Sequence, residues 1–267
     1  MSICAIALVW QIAAKIVDSP LILPFPGDVF LCLISLMKQS VFWQDVISTF
    51  FRVVKSFLIS LSIGTVLGVA CGKCSFIKDF LNLPISILRS TPVVALILVL
   101  IFAFSSDSVP VVVSVLMSIP VLISAISSGF TFSEDDKKMF QMAKVFNFSK
   151  RQRLFFLWIP KLKPFFKSGI VAVFGMSWKV TVAGEVLSLP KNALGTQLST
   201  AQVHLESQEV FALALIIIAL SFFMEGVLKI LFESKNESKT ETKNENRKPD
   251  NRNSREKNLI GFFNRIS

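Results

Sequence analysis

Apolar residues along this chain fall into long runs, separated by shorter segments in which Lys, Arg, Asp, Glu, Ser and Pro gather. A helix needs roughly 20 mostly apolar residues to cross the ~30 Å hydrocarbon core of a bilayer. On that measure the pattern predicts six membrane helices, over residues 3–17, 56–72, 91–106, 108–130, 168–189 and 210–232. The third and fourth share one stretch, 90–133, whose only charge is Asp107; Ser105-Ser106-Asp107-Ser108 with Pro110 supplies the turn between them. The first run has no basic segment before it and no small-residue cleavage site after it, so it is expected to be a retained, somewhat weak membrane helix rather than a removable signal.

Six spans put both termini on one side, and the charges say which. The segments 72–89, 131–167 and 229–267 hold 22 of the 28 Lys and Arg residues, all on that common face. The opposite loops hold Lys38 and Lys191 against Asp18, Asp28, Asp45, Asp107, Glu206 and Glu209. The basic face is therefore expected to be cytoplasmic. Arg52 and Lys55, at the outer start of the second span, run against this and are expected to snorkel to the interface.

Composition narrows the class further. The chain has 267 residues, 52% of them hydrophobic and only 17% charged, which excludes an ordinary soluble enzyme. A net charge of +10 would suggest a nucleic-acid partner in a soluble protein, but here it follows from topology. Two short cytoplasmic helices tied to the bilayer on both sides are likewise poorly placed to enter a DNA groove. Part of the surplus lies in 233–267, rich in Lys, Glu, Asn and Ser, which is expected to be a disordered basic tail behind a membrane domain of 1–232.

Candidate chemistry is sparse. Cys71-Gly-Lys-Cys74 lacks the second pair a zinc site needs, so no metal is expected. Gly68 to Lys73 superficially matches a phosphate loop, but the spacing is one short and Cys74 stands where a magnesium-binding Ser or Thr belongs. No catalytic residue and no nucleotide site are expected. Gly64, Gly68 and Gly72, four apart, form one small-residue face suited to close helix packing. His204 has no companion ligand and reads as a packing or surface residue. Glu225 and Lys229, four apart at the end of the last span, form a favourable helical pair.

The loop of about 131–167 is the most informative segment. Ser133 followed by Glu134, Asp135 and Asp136 predicts a capped helix start. Met139, Met142, Ala143 and Phe146 recur at helical spacing, with Gln141 between them, and Asn147 can take the left-handed conformation that ends the helix. Ser149 and Gln152 form a second capping box, and Pro160 is expected to stop the helix they start. Such a pair of helices suits either a structural loop or a knob that docks into a soluble partner.

Gln141-Met142-Ala143, Asn147 and Leu157-Trp158-Ile159-Pro160 resemble the "EAA" loop of binding-protein-dependent ABC importer permeases, with Gln, Met and Asn in place of Glu, Ala and Gly. Leu23-Pro24-Phe25-Pro26-Gly27-Asp28-Val29, Leu88-Arg89-Ser90-Thr91-Pro92 and Trp178-Lys179 through Ala183 to Glu185 are similar to segments of the nitrate/sulfonate/taurine type. Gly195 and Val210-Phe211-Ala212 also fit. The resemblance implies an all-α integral membrane fold of about six transmembrane helices with a cytoplasmic coupling loop, the type I importer architecture, in the inner membrane. It implies a second permease subunit, most simply a homodimer, a cytoplasmic ATPase dimer that uses the ATP, and an extracytoplasmic substrate-binding protein. Met139, Gln141, Met142, Ala143, Phe146, Asn147, Leu157, Ile159 and Pro160 would then couple to the ATPase. The substrate would be a small anion or small organic molecule, such as a sulfonate, nitrate or vitamin precursor.

Ionisable residues inside spans cost about 3 kcal/mol at the bilayer centre and normally face a cavity or a partner. Trp178, Lys179, Thr181 and Glu185 are on that ground candidates to line the translocation pathway, with subunit-to-subunit contact as the alternative. Lys179 and Glu185 lie about 120° apart on the helix and are not expected to pair. A gradient-driven transporter and a non-transporting membrane scaffold remain open, although no internal repeat of the kind common in the former is present.

Overall fold

The computed structural model describes residues 2–233, and among them every regular element is helical. The tail expected over 233–267 lies, apart from Glu233, outside the described residues, as do the side chains of Cys4 and Lys229. The elements are α1 (Ser2–Val17), α2 (Pro26–Met37), α3 (Ser40–Lys73), α4 (Ser75–Ser90), α5 (Val93–Ala103) and α6 (Val109–Ser128). They continue with α7 (Glu134–Val145), α8 (Lys150–Arg153), a π-helical turn (Leu154–Trp158), α9 (Ile159–Ser188), α10 (Leu194–Val203) and α11 (Ser207–Glu233). Residues up to Glu225 form one compact unit, and Gly226–Glu233, the end of α11, belong to a second.

Four stretches are long and apolar enough to span a bilayer: Ser40–Lys73, Val109–Ser128, Lys150–Ser188 and Ser207–Leu228. The pair α4 and α5, bent by 101° at Thr91-Pro92, makes a fifth if it is counted as one. α1 and α2 are shorter apolar helices; the 16 residues of α1 rise only about 24 Å, short of the bilayer core. Its Trp10 Nε1–H donates to the Pro24 carbonyl at 3.1 Å, tying it to the proline-rich turn that starts α2.

Three boundaries differ from expectation. The second span begins at Ser40, sixteen residues earlier than its apolar run, because Thr49 and Arg52 find polar partners inside the protein. Residues 75–90, read as a basic loop, are the amphipathic helix α4, whose Phe76, Phe80 and Leu83 remain exposed. Pro160 does not stop a helix. It falls in the first turn of α9, directly after the π-turn, where a missing N–H is tolerated, so the backbone runs helical from Lys150 to Ser188.

The core is the triple packing of α3, α6 and α9. The small-residue face of α3 lies on α6: a Cβ added at Gly64 would stand 2.9 Å from Leu122, and one at Gly68 2.9 Å from Ile126. Glycine is what allows this approach. Where the three helices meet, polar side chains hydrogen-bond across them. Ser114 Oγ donates to Ser56 Oγ at 3.0 Å, and Ser118 and Ser177 share a bond of 3.2 Å. Ser56, Ser114, Ser118, Ser177 and Thr181 are all buried, while Phe, Leu and Ile side chains cover much of the outside. Polar residues inside and apolar residues outside suit a hydrocarbon solvent, in which interhelical hydrogen bonds contribute of order 0.6–2 kcal/mol each.

Candidate functional site

Two regions at opposite ends of α9, and a cleft between them, gather the residues singled out by sequence. At the first, α7 is a capped helix held on the end of the bundle. Ser133 Oγ accepts from the Asp136 N–H at 3.2 Å, and Asp136 Oδ2 accepts from the Ser133 N–H at 2.9 Å. These bonds close a capping box. The Ser133 N–H, the Lys161 ammonium and the Ser133 hydroxyl together lower the Asp136 carboxyl to about 2. Asn147 has φ 51°, the left-handed turn that ends the helix, and Ser149 and Gln152 form the second capping box.

An aromatic cluster fixes α7 to its neighbours. Phe140 of α7 packs on Trp158 with ring centroids 5.1 Å apart and on Phe132 at 5.0 Å, and Trp158 meets Phe130, just after α6, at 5.2 Å. Lys161 sits 3.9 Å above the Phe132 ring and 3.0 Å from Asp136. Ala143, only 3% exposed, belongs to this inward face together with the buried Leu157.

What α7 and the π-turn leave outside is apolar. Met139, Met142, Val145 and Phe146 are exposed on one, and Leu154, Phe155, Phe156 and Ile159 on the other. Gln141, Asn147 and Pro160 border them and are also exposed. Of the residues expected to couple to an ATPase, Ala143 and Leu157 are covered by the bundle, whereas Val145, not among them, is 78% exposed, and Phe140 is an anchor that periodicity passed over. Helical spacing defines the stripe but not which side of it the bundle covers.

At the other end of α9, Glu185 is fully buried and saturated. Its carboxylate accepts from Thr49 Oγ1 at 3.0 Å, from Arg52 Nη1 at 3.2 Å and from the Gly195 N–H at 3.2 Å. A Cβ at Gly195 would come 2.5 Å from the Glu185 Cβ, so glycine is needed for α10 to approach. Arg52 also reaches the carbonyls of Lys191 at 2.7 Å and Asn192 at 2.9 Å, and Asp107 at 3.2 Å. Its charge is therefore used inside the chain rather than snorkelling. Thr49 in turn accepts from the Leu194 N–H at 3.0 Å. One cluster thus ties α3, the α5–α6 turn, α9 and α10 together.

The remaining pathway candidates separate. Trp178 and Thr181 are buried beside the core ladder, whereas the Lys179 side chain is 70% exposed and lies 3.8 Å from Glu225. Lys179 and Glu185 do not pair, as their helical spacing implied. Glu225 faces Lys179, while its expected pairing with Lys229 involves a side chain outside the described residues. One basic and one acidic residue at the middle and end of two apolar runs were the signal available for that pairing. Cys71 is buried and Cys74 exposed at the end of α3, and no metal-competent cluster occurs among the described residues. Gly68 to Lys73 is helical, without the loop that would wrap a phosphate.

The sequence pattern of the family described as binding-protein-dependent transport system inner membrane component matches residues 64–235. The chain is 23% identical over 229 residues to the taurine transport system permease protein of Escherichia coli, covering 83% of this chain and 82% of that one. It is 22% identical over 227 residues to the putative aliphatic sulfonates transport permease protein of Bacillus subtilis, covering 85% and 82%. A probable ABC transporter permease protein of Brucella melitensis is 21% identical over 208 residues, covering 78% and 84%.

Proposed function

The chain belongs to the family of inner membrane components of binding-protein-dependent transport systems, and from that membership we propose that it forms half of an ATP-driven import route for a small anion of the taurine or aliphatic-sulfonate class. It is a multi-pass inner membrane protein. In this reading two copies pair, a cytoplasmic ATPase dimer docks on the α7 side, and an extracytoplasmic binding protein delivers substrate to the opposite face. Both termini are cytoplasmic, as the distribution of Lys and Arg favours. ATP is bound and hydrolysed by the partner, and this chain performs no chemistry of its own.

The observation that carries the reading is the exposed apolar knob of α7, capped at its start and riveted from behind by Phe140, Trp158 and Lys161. An exposed apolar patch rimmed by Lys and Arg marks a protein interaction site. A gradient-driven transporter gives no reason for such a knob, and the family match separates the reading from a scaffold. When the ATPase dimer closes on ATP, a helix fixed this firmly moves with it. The Trp158 contacts pass the displacement to the end of α6 and into α9, which runs without interruption to Ser188. Thr181 and Glu185, buried in one subunit, hold the moving helices in register, and Lys179 alone of the four candidates faces outward.

The test is copurification. Coexpressed with its cognate ATPase, the wild-type chain retains the ATPase through size exclusion. The double variant Met142→Asp/Val145→Asp loses it while its melting temperature stays within about 2 °C, because both side chains already face water. Retention of the ATPase by the double variant would overturn the docking assignment.

A further inference from the structure

The cleft between α9 and α11 has a volume of about 280 Å³, with Trp178 and Lys179 on one wall and Ser221, Phe222 and Glu225 on the other. Its polar groups are unbalanced. The Trp178 side chain is 2% exposed, and its Nε1–H has no hydrogen-bond partner among the described residues. A buried donor left unpaired calls for an explanation. Lys179 is 70% exposed, and its 3.8 Å separation from Glu225 exceeds the ~2.7–2.9 Å of a charge-assisted hydrogen bond. The pair is in place but loosely held. Gly175 explains where the Glu225 carboxylate sits: a Cβ there would stand 2.5 Å from Glu225 Oε1, so the carboxylate occupies a notch that only glycine leaves open.

Lys179 lies near the middle of the apolar stretch of α9. An ammonium so exposed is disfavoured against lipid, which turns this face toward water or a partner. We propose that the cleft is an anion station on the import route, in which Glu225 is a resident substitute for the substrate's own charge. Lys179 supplies the charge and the Ser221 hydroxyl a directed donor, and the Trp178 Nε1–H, closed off from solvent here, becomes a second donor as the wall parts around the anion. A small molecule bearing a singly charged oxyanion displaces the Glu225 carboxylate from Lys179 and satisfies the idle indole donor. When the anion leaves, Glu225 returns and Lys179 is neutralised again. The cleft lies just below the ~300–1,000 Å³ usual for ligand pockets, so it fits a compact anion rather than a peptide. This inference rests on the reading that the outward face of α9 borders the route.

Equilibrium dialysis of radiolabelled methanesulfonate against the intact transporter in lipid nanodiscs tests it, with chloride at equal ionic strength as the control. The wild type binds saturably. Glu225→Gln, which removes the competitor, binds several-fold tighter, and Gly175→Ala, which crowds the carboxylate out of its notch, shifts affinity the same way. Lys179→Met binds about tenfold more weakly or worse, the expected loss of one charge-assisted bond, while Lys179→Arg stays near the wild type. No saturable binding to Glu225→Gln, or equal binding by Lys179→Met and the wild type, overturns the proposal. Copurification of the ATPase with the wild type reports separately on the functional reading. A complex that forms but binds no methanesulfonate sinks the anion station alone, and a chain that never retains an ATPase sinks the functional reading.

Discussion

The two ends of α9 combine charge and apolar surface in opposite ways. At the outer end a fully buried carboxylate, Glu185, is answered by Thr49, Arg52 and a backbone N–H, all from the same chain. At the inner end charged groups rim a patch of Met, Val and Phe side chains that nothing among the described residues covers. The first region is complete and holds the helices together; the second is left incomplete, as the proposed docking requires. They are joined by the continuous helical stretch Lys150–Ser188, 39 residues and roughly 58 Å, of which α9 is the main part, so in the proposed function this stretch is the physical link between docking and the far side of the bundle.

Breaking the complete end should have the largest effect. Arg52→Ala leaves Glu185 buried without its counter-charge, so it should cost about 3–5 kcal/mol, read as a large fall in thermal unfolding temperature in detergent. Arg52→Ala with Glu185→Gln should recover much of that loss. An unchanged melting temperature for Arg52→Ala would mean that the outer cluster holds nothing. Next in size is the packing between the ends. Gly68→Leu places atoms where Ile126 already stands and should destabilise by about 1–3 kcal/mol in the same assay. Ser133→Ala should remove about 1 kcal/mol from α7 through loss of its cap, seen as faster amide exchange over Glu134–Lys138 with little change in global unfolding.

Acidity should have the smallest effect on the docking end. The Asp136 carboxyl is lowered from 3.8 to about 2, so its contribution to α7 is complete above pH ~4 and is lost only as pH falls through about 2. A spin label at Lys138 should therefore report constant mobility from pH 5 to pH 9. A transition within that window would show that another group controls the cap.

Local signals were legible in the sequence. The two capping boxes, the left-handed Asn147 and the glycine face of α3 are decided by residues a few positions apart, and each is where the pattern placed it. The outer cluster was not legible, because Arg52 and Glu185 are 133 residues apart and Arg52 lies before the apolar run that marks its helix. For the same reason hydropathy alone placed the start of α3 at residue 56. Helical periodicity found α7 but assigned Ala143 to the outer face. Only the aromatic cluster of Phe132, Phe140 and Trp158, assembled from three segments, decides which side is covered. Pro160 shows a further kind of miss, since the π-turn before it carries the helix past a residue that ordinarily ends one.

In the proposed function the uncovered face of α7 is where the ATPase docks and transmits its motion. Single cysteines at Val145 and Ala143, in a chain lacking its native cysteines, test it by cross-linking to the coexpressed ATPase with a short bifunctional thiol reagent. Val145→Cys should give a cross-linked product that changes in yield between ATP-bound and nucleotide-free states, while Ala143→Cys, on the covered face, gives none. Equal cross-linking at both positions, or at neither, would contradict the account.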